Sequence, residues 1–218
     1  MAHVVEGDDP SILPRIVDSP VNLAVWRRDV TPAVASAVRA LLESPNPVDC
    51  DWHAPSTREI AECMGPTDPQ SALGRAFEAL ALDVVRLSGV FAEVADVRHP
   101  RVRFARVEDD GCALFHADTL GLRLLCTYVG PGTQWLENTN VRRGQLGSLG
   151  RSATDANRAI VIDPSAIRSI PNWHVAVFKG RAWPGGADNA LVHRSAPVRH
   201  RGEHRLRLCV DLPTARDC

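Results

Sequence analysis

Phe115-His116-Ala117-Asp118 sets an imidazole and a carboxylate two residues apart, and His193 follows 75 residues after Asp118 in Leu191-Val192-His193-Arg194. Two neutral imidazoles and one carboxylate are a ligand set for a divalent transition metal. On Fe(II) they leave three coordination positions open, room for a cosubstrate and oxygen. Arg205 and Arg207 come twelve and fourteen residues after His193. A guanidinium fork is the side chain best shaped to take a carboxylate through two parallel hydrogen bonds. An H-x-D triplet arises readily by chance, so its weight depends on the elements that carry it.

Other clusters carry less. Cys50, His53 and Cys63 could ligate zinc, but no fourth ligand lies near them in sequence. His200-Arg201-Gly202-Glu203-His204 spells an inverted zinc-peptidase motif, which needs both histidines one turn apart on a helix. The central Gly202 and the alternating segment that follows favour a turn entering a strand instead. The basic run from Arg194 to Arg207 reads as a solvated face, except for arginines that must point inward.

From Arg101 onward the apolar period is two, broken by the turn signals Asp109-Asp110-Gly111, Gly130-Pro131-Gly132, Asp163-Pro164, Pro184-Gly185-Gly186 and Gly202. Eight strands are predicted over 101–108, 112–118, 121–129, 133–138, 158–163, 174–179, 190–194 and 204–211. His116 and Asp118 then close the second strand, His193 lies on the seventh and Arg205 opens the eighth. Eight short strands so punctuated suggest a double-sheet jelly roll. The stretch 144–158 reads as a long loop.

Residues 1–97 read mostly as loops and helices. Thr31-Pro32 starts a helix that Pro45 stops, and Ser56-Thr57-Arg58-Glu59 fits a capping box. Leu73, Phe77, Leu80, Val84, Leu87, Phe91 and Val94 recur at alternating spacings of four and three, one continuous stripe on a helix over about 69–95. The fold class expected is mainly β with N-terminal helices, a jelly-roll barrel covered by an α-helical layer. Residues 1–97 would be a helical extension packing on a metal-binding core at 98–218.

Strand alternation assigns faces. In 204–211, Arg205, Arg207, Cys209 and Asp211 share one side, and Leu206, Leu208 and Val210 the other. If the polar set lines the barrel, its buried arginines need anionic partners, and a bound dicarboxylate would serve one of them. Tyr128, the only tyrosine, is a candidate second donor to that carboxylate. Trp135, Trp173 and Trp183, with the loops at 139–157 and 181–189, are candidates to shape a substrate site.

Composition narrows the function classes. A net charge of −1 over 218 residues and a pI near 6.7 give no long-range pull toward nucleic acid or an anionic membrane. The first ten residues are acidic and hold no apolar export core, so a cytoplasmic protein with its six cysteines reduced is expected.

The order H-x-D, distal histidine, arginine on successive strands resembles the double-stranded β-helix of the Fe(II)/2-oxoglutarate dioxygenases. Gly132-Thr133-Gln134-Trp135 and the run His193-Arg194-Ser195-Ala196-Pro197-Val198 are similar to segments of that superfamily. The resemblance covers roughly 101–212. It implies an iron held by His116, Asp118 and His193, and 2-oxoglutarate anchored by Arg205 with Arg207 as the fallback. Zinc or nickel could substitute for the iron. A closer resemblance is to an uncharacterised bacterial family, domain of unknown function 1826, carried by Phe115–Asp118, Arg123–Tyr128 and Gly130–Leu136. It implies no established reaction, but points to metal homeostasis and a metallochaperone GTPase partner. The rival reading is therefore a non-redox metal-binding barrel. A cupin signature is disfavoured, because Asp118 stands where a second histidine is wanted and no glutamate follows closely.

Overall fold

Thr31, Ser56 and Ser71 each accept a hydrogen bond from a backbone N–H three residues on, and each starts a helix. These are α1 (Pro32–Glu43), α2 (Thr57–Cys63) and α3 (Ala72–Ala95). In α2 the Glu59 carboxylate accepts from the Ser56 backbone in return, closing the capping box. The α3 stripe turns inward as its spacing requires: Phe77, Leu80, Val84, Leu87 and Phe91 are buried, and only the terminal Leu73 is exposed.

The computed structural model describes residues 3–198 and 202–213. Arg199, His200 and Arg201, which carry part of the basic run and the start of the peptidase-like motif, lie outside the described residues. Ten strands are present among those described: β1 (Val4–Gly7), β2 (Leu23–Trp26), β3 (Asp49–His53), β4 (Arg101–Val107), β5 (Leu122–Val129), β6 (Gln134–Leu136), β7 (Arg168–Ser169), β8 (Val175–Lys179), β9 (Val192–Arg194) and β10 (Arg205–Asp211). They form a seven-stranded sheet in the order β1-β2-β8-β5-β10-β4-β3 and a three-stranded sheet in the order β7-β6-β9. Within the seven-stranded sheet β1 and β2 run parallel and every other pair is antiparallel.

Three of the seven strands of the large sheet come from the first 97 residues, so that segment is more than the helical extension expected of it. Two predicted strands are also absent. In 112–118 only His116 pairs, as an isolated bridge to His193. There the Asn157 amide takes the place of a strand, accepting from Phe115 N at 2.8 Å and donating to Ala113 O at 2.9 Å. Residues 158–160 are the end of a further helix, α4 (Ala153–Ile160), whose cap is Ser152 with Asp155 three residues on, and of the rest only Val161 pairs, as an isolated bridge to Val141. That helix also occupies part of the predicted loop 144–158. Cys50 on β3 and Cys63 at the end of α2 form a disulfide with Cα atoms 6.5 Å apart, which corrects the all-reduced expectation and removes the candidate zinc ligands. Cys112, Cys126 and Cys209 are free.

The large sheet divides its side chains between two cores. Ala24, Val102, Phe104, Leu122, Leu124, Tyr128, Val177, Leu206, Leu208 and Val210 pack against the helices. Leu23, Val25, Leu125, Ala176, Phe178 and Cys209 face the small sheet with Trp135, Ile170 and Leu191. On the helix side Asp83 of α3 takes a bidentate pair from Arg28 at 2.6 and 2.9 Å. Breaking a buried pair of this kind typically costs about 3–5 kcal/mol, so it fixes α3 across the sheet. No helix among the described residues is long and apolar enough to cross a membrane.

Candidate metal centre

His116 and His193 stand opposite each other because their backbones exchange both hydrogen bonds, His116 N to His193 O at 3.0 Å and His193 N to His116 O at 2.9 Å. His193 itself sits mid-strand on β9, paired on its other side with Trp135 of β6. The ring centroids are 4.7 Å apart. Asp118, two residues beyond His116, returns to the same side: its Oδ1 is 3.4 Å from His116 Nε2 and its Oδ2 is 3.6 Å from His193 Nε2. One ligand atom from each of the three residues lies within 4.8 Å of the other two. The three residues singled out in the sequence are thus brought together.

Their protonation suits a cation. His116 Nδ1 lies 2.8 Å from the Leu114 carbonyl and His193 Nδ1 lies 3.4 Å from that of Leu191. A carbonyl can only accept, so each Nδ1 carries a proton, and in the neutral ring each Nε2 turns its lone pair into the group. Burial lowers the His193 pKa to about 4 against the opposing pull of Asp118, so the ring is neutral. Burial alone would raise the Asp118 pKa, but the His116 hydrogen bond, the charge that His193 takes up only at the acid pH where the carboxyl would titrate, and the Arg123 guanidinium outweigh it and hold the carboxyl well below its ordinary range. Burial opposes charge on His116 too, yet the Asp118 and Leu114 hydrogen bonds prevail and raise its pKa.

A metal must therefore displace a proton from His116 at mildly acidic pH. Below the raised pKa of His116, metal affinity is expected to climb about tenfold per pH unit, one proton leaving per ion, and to level off above it. Calorimetry in two buffers of different ionisation enthalpy checks the proton count. A profile flat from mildly acidic to neutral pH would remove His116 from the ligand set.

Behind Asp118 stands a pair of residues that the motif search did not single out. Arg123 donates to Asp118 Oδ2 at 2.7 Å and holds Asp211 through Nε at 2.6 Å and a terminal nitrogen at 2.9 Å. Arg103 shares Asp211 at 2.6 Å. The signal was present in the period of two: Arg123 faces Asp211 in register, and both point to the interior side of β5 and β10.

Arg205 is wholly buried on that interior face. One terminal nitrogen donates to Thr133 Oγ1 at 3.0 Å, while Nε and the other terminal nitrogen find no partner. Burial, with Arg207 close by, pushes its pKa down to about 10. Thr133 is placed by a turn that admits only glycines at two points. Gly130 has φ +86° with a Cβ position 2.2 Å from His204 O, and a Cβ on Gly132 would lie 1.8 Å from Ile170 O.

A cavity of about 510 Å³ runs beside the histidines, lined among others by Arg103, Arg123, Leu125, Thr133, Ser195 and Arg207. Pro47, Asp49, residues 105–109, Gly111 and Cys112 also line it, and no residue of the loops at 139–157 or 181–189 does. Tyr128 does not face it: the hydroxyl donates to Asp83 Oδ2 at 2.7 Å on the helix side. The tryptophans are elsewhere as well. Trp173 packs edge-on against Tyr128, Trp183 lies by the Lys179 ammonium, and Trp135 is buried between the sheets under Arg168.

The two facing sheets and the His-Asp-His group define a double-stranded β-helix with a site able to hold a metal. Solved structures of that fold superpose on the chain. A dioxygenase for auxin oxidation from Arabidopsis thaliana, solved with 2-oxoglutarate, has 11% identity and a TM-score of 0.50, covering 100% of this chain and 95% of its own. JOX2, solved with 2OG, Fe and JA, also has 11% identity and a TM-score of 0.50, covering 98% and 75%. The chain belongs to the family of proteins of unknown function DUF1826, whose model matches residues 7–211. No curated protein matches the sequence.

Proposed function

We propose that the chain is an Fe(II)- and 2-oxoglutarate-dependent oxygenase of the hydroxylase type. The observation that carries this reading is Arg205. A buried donor without a partner costs about 1–3 kcal/mol, and more when charged, yet Arg205 has two such nitrogens, beside a third that donates to Thr133 of the cavity lining. A carboxylate would satisfy both. A barrel that only holds metal, in the service of a metallochaperone GTPase, has use for the triad but none for this arginine.

The donor set fits the ion. Two imidazole nitrogens and one carboxylate suit Fe(II) and leave open positions, and zinc or nickel would occupy the same ligands, since raw affinity does not favour iron. When bound, iron with 2-oxoglutarate supplies an oxidant from O₂ while the oxo acid leaves as succinate and CO₂. The chain does the positioning. His116 and His193 present Nε2, and Asp118 offers one oxygen while Arg123 holds the other. Arg205 and Thr133 supply donors for the distal carboxylate of the cosubstrate.

The test is cosubstrate turnover without added substrate. Protein reconstituted anaerobically with Fe(II) and then exposed to air should convert 2-oxoglutarate slowly to succinate, and His116→Ala should not. With manganese as a redox-inert stand-in, calorimetry should show metal-dependent 2-oxoglutarate binding. No binding at millimolar cosubstrate would return the assignment to the metal-holding reading.

A further inference from the structure

Four arginines share the interior face of the large sheet: Arg103 on β4, Arg123 on β5, and Arg205 and Arg207 on β10. The register sets Arg207 between Ala105 and Thr127, Cys209 between Arg103 and Leu125, and Asp211 beside Arg123. Two carboxylates answer them from within. Asp211 is divided between Arg123 and Arg103, and Asp118 is taken by Arg123 and the histidines. A divalent ion with a dianionic cosubstrate adds no net charge, so the interior stays cationic when both are bound.

The surplus has an address. Arg207 lines the cavity and makes no hydrogen bond or ion pair among the described residues, and Arg103 keeps a buried Nε without a partner. No acid of the cavity lining forms an ion pair with Arg207. Glu108 is held by Arg106 at 2.6 Å and Asp109 accepts from Gly111 N at 3.0 Å. Asp49 lies across Ala105 from Arg207 and is exposed, but forms no ion pair with it. The remaining wall includes the apolar side chains of Ala105, Val107 and Leu125. A cavity of about 510 Å³ is of small-molecule size, and part of it is needed for the cosubstrate.

We propose that the substrate is a small organic acid whose carboxylate is gripped by Arg207, with Arg103 as second donor. The proposal rests on the oxygenase reading only in reserving Arg205 for the cosubstrate. Arg207 presents an unoccupied planar fork, which matches the two oxygens of a carboxylate. A neutral or cationic group in that place would leave the fork without an anion.

The experiment uses the full chain loaded with manganese and saturated with 2-oxoglutarate, titrated calorimetrically with phenylacetate, phenylacetamide and inorganic phosphate. Phenylacetate should bind at least about tenfold more tightly than the amide, in proportion to a charge-assisted over a neutral contact. The preference should vanish in Arg207→Gln and return in part in Arg207→Lys. Equal behaviour of acid and amide in the wild type, binding by neither, or a preference that survives Arg207→Gln would overturn the proposal. Phosphate displacing phenylacetate equally well would overturn the carboxylate class. If Arg207→Gln loses 2-oxoglutarate itself, Arg207 is the cosubstrate anchor and this proposal falls while the oxygenase reading stands. If the wild type prefers the acid yet never binds 2-oxoglutarate, the carboxylate site is supported and the oxygenase reading fails.

Discussion

Anaerobic titration with Fe(II) is expected to show one site per chain in the wild type and none in His116→Ala. Removing one of three ligands leaves two donors in a polar cavity, and water must complete the coordination. His116 is the informative position because its side chain is partly exposed, so its truncation leaves little void. His193→Ala should abolish the site as well, but that ring is buried against Phe178, with centroids 4.7 Å apart. Part of its effect would therefore be a cavity, and deletion of a buried ring of similar bulk costs about 3–5 kcal/mol. A thermal melt of each apo variant separates the two causes. Unchanged Fe(II) binding in both variants would eliminate the triad.

The second large effect concerns Arg205 and runs in two directions at once. Arg205→Lys keeps a charge but loses the fork, and should weaken 2-oxoglutarate binding by about 1.5–3 kcal/mol, the range for a hydrogen bond to a charged group, while the metal stays bound. Arg205→Met should abolish cosubstrate binding and yet make the metal-free protein more stable in urea, because it deletes a buried guanidinium with two unmet donors. An arginine kept only for structure would not show stability rising as binding disappears. If Arg207→Lys, and not Arg205→Lys, carries the loss, the anchor lies two residues further along β10.

The site was legible in the sequence where side chains obey a period. Arg205, Arg207, Cys209 and Asp211 share a face as alternation required, with Leu206, Leu208 and Val210 packed on the helices. The caps at Thr31 and Ser56 were legible because each is a local arrangement of a few residues. What failed was non-local or masked by composition. His116 and Asp118 were assigned to a strand, but their segment is held by a single bridge and by the Asn157 amide, a contact 42 residues away that no window contains. The Ser152-Asp155 cap was hidden in a stretch rich in polar residues that read as loop. Tyr128 was placed by appeal to a polar tip, although its neighbours Leu122, Leu124 and Cys126 on the same face already marked the helix side. The tryptophans fill space between elements whose packing the sequence does not specify. β1, β2 and β3 escaped notice because each is a run of four or five residues set among loops and helices, outside the punctuated stretch of alternation that begins at Arg101.

Those early strands also set the order in which the protein can be assembled. Leu23 on β2 pairs with Phe178, and the neighbouring ladder runs through β5 to β10, which ends at Asp211. A chain leaving the ribosome has to hold Leu23–Trp26, four residues that are all buried in the finished sheet, with only β1 paired beside them until about 150 more residues have been made. Contacts of such separation are slow to form and leave apolar edges open to other chains meanwhile. Synthesis from the N-terminus therefore supplies the edges of the large sheet before its centre, and the His-Asp-His group is completed only when β9 lays His193 against His116.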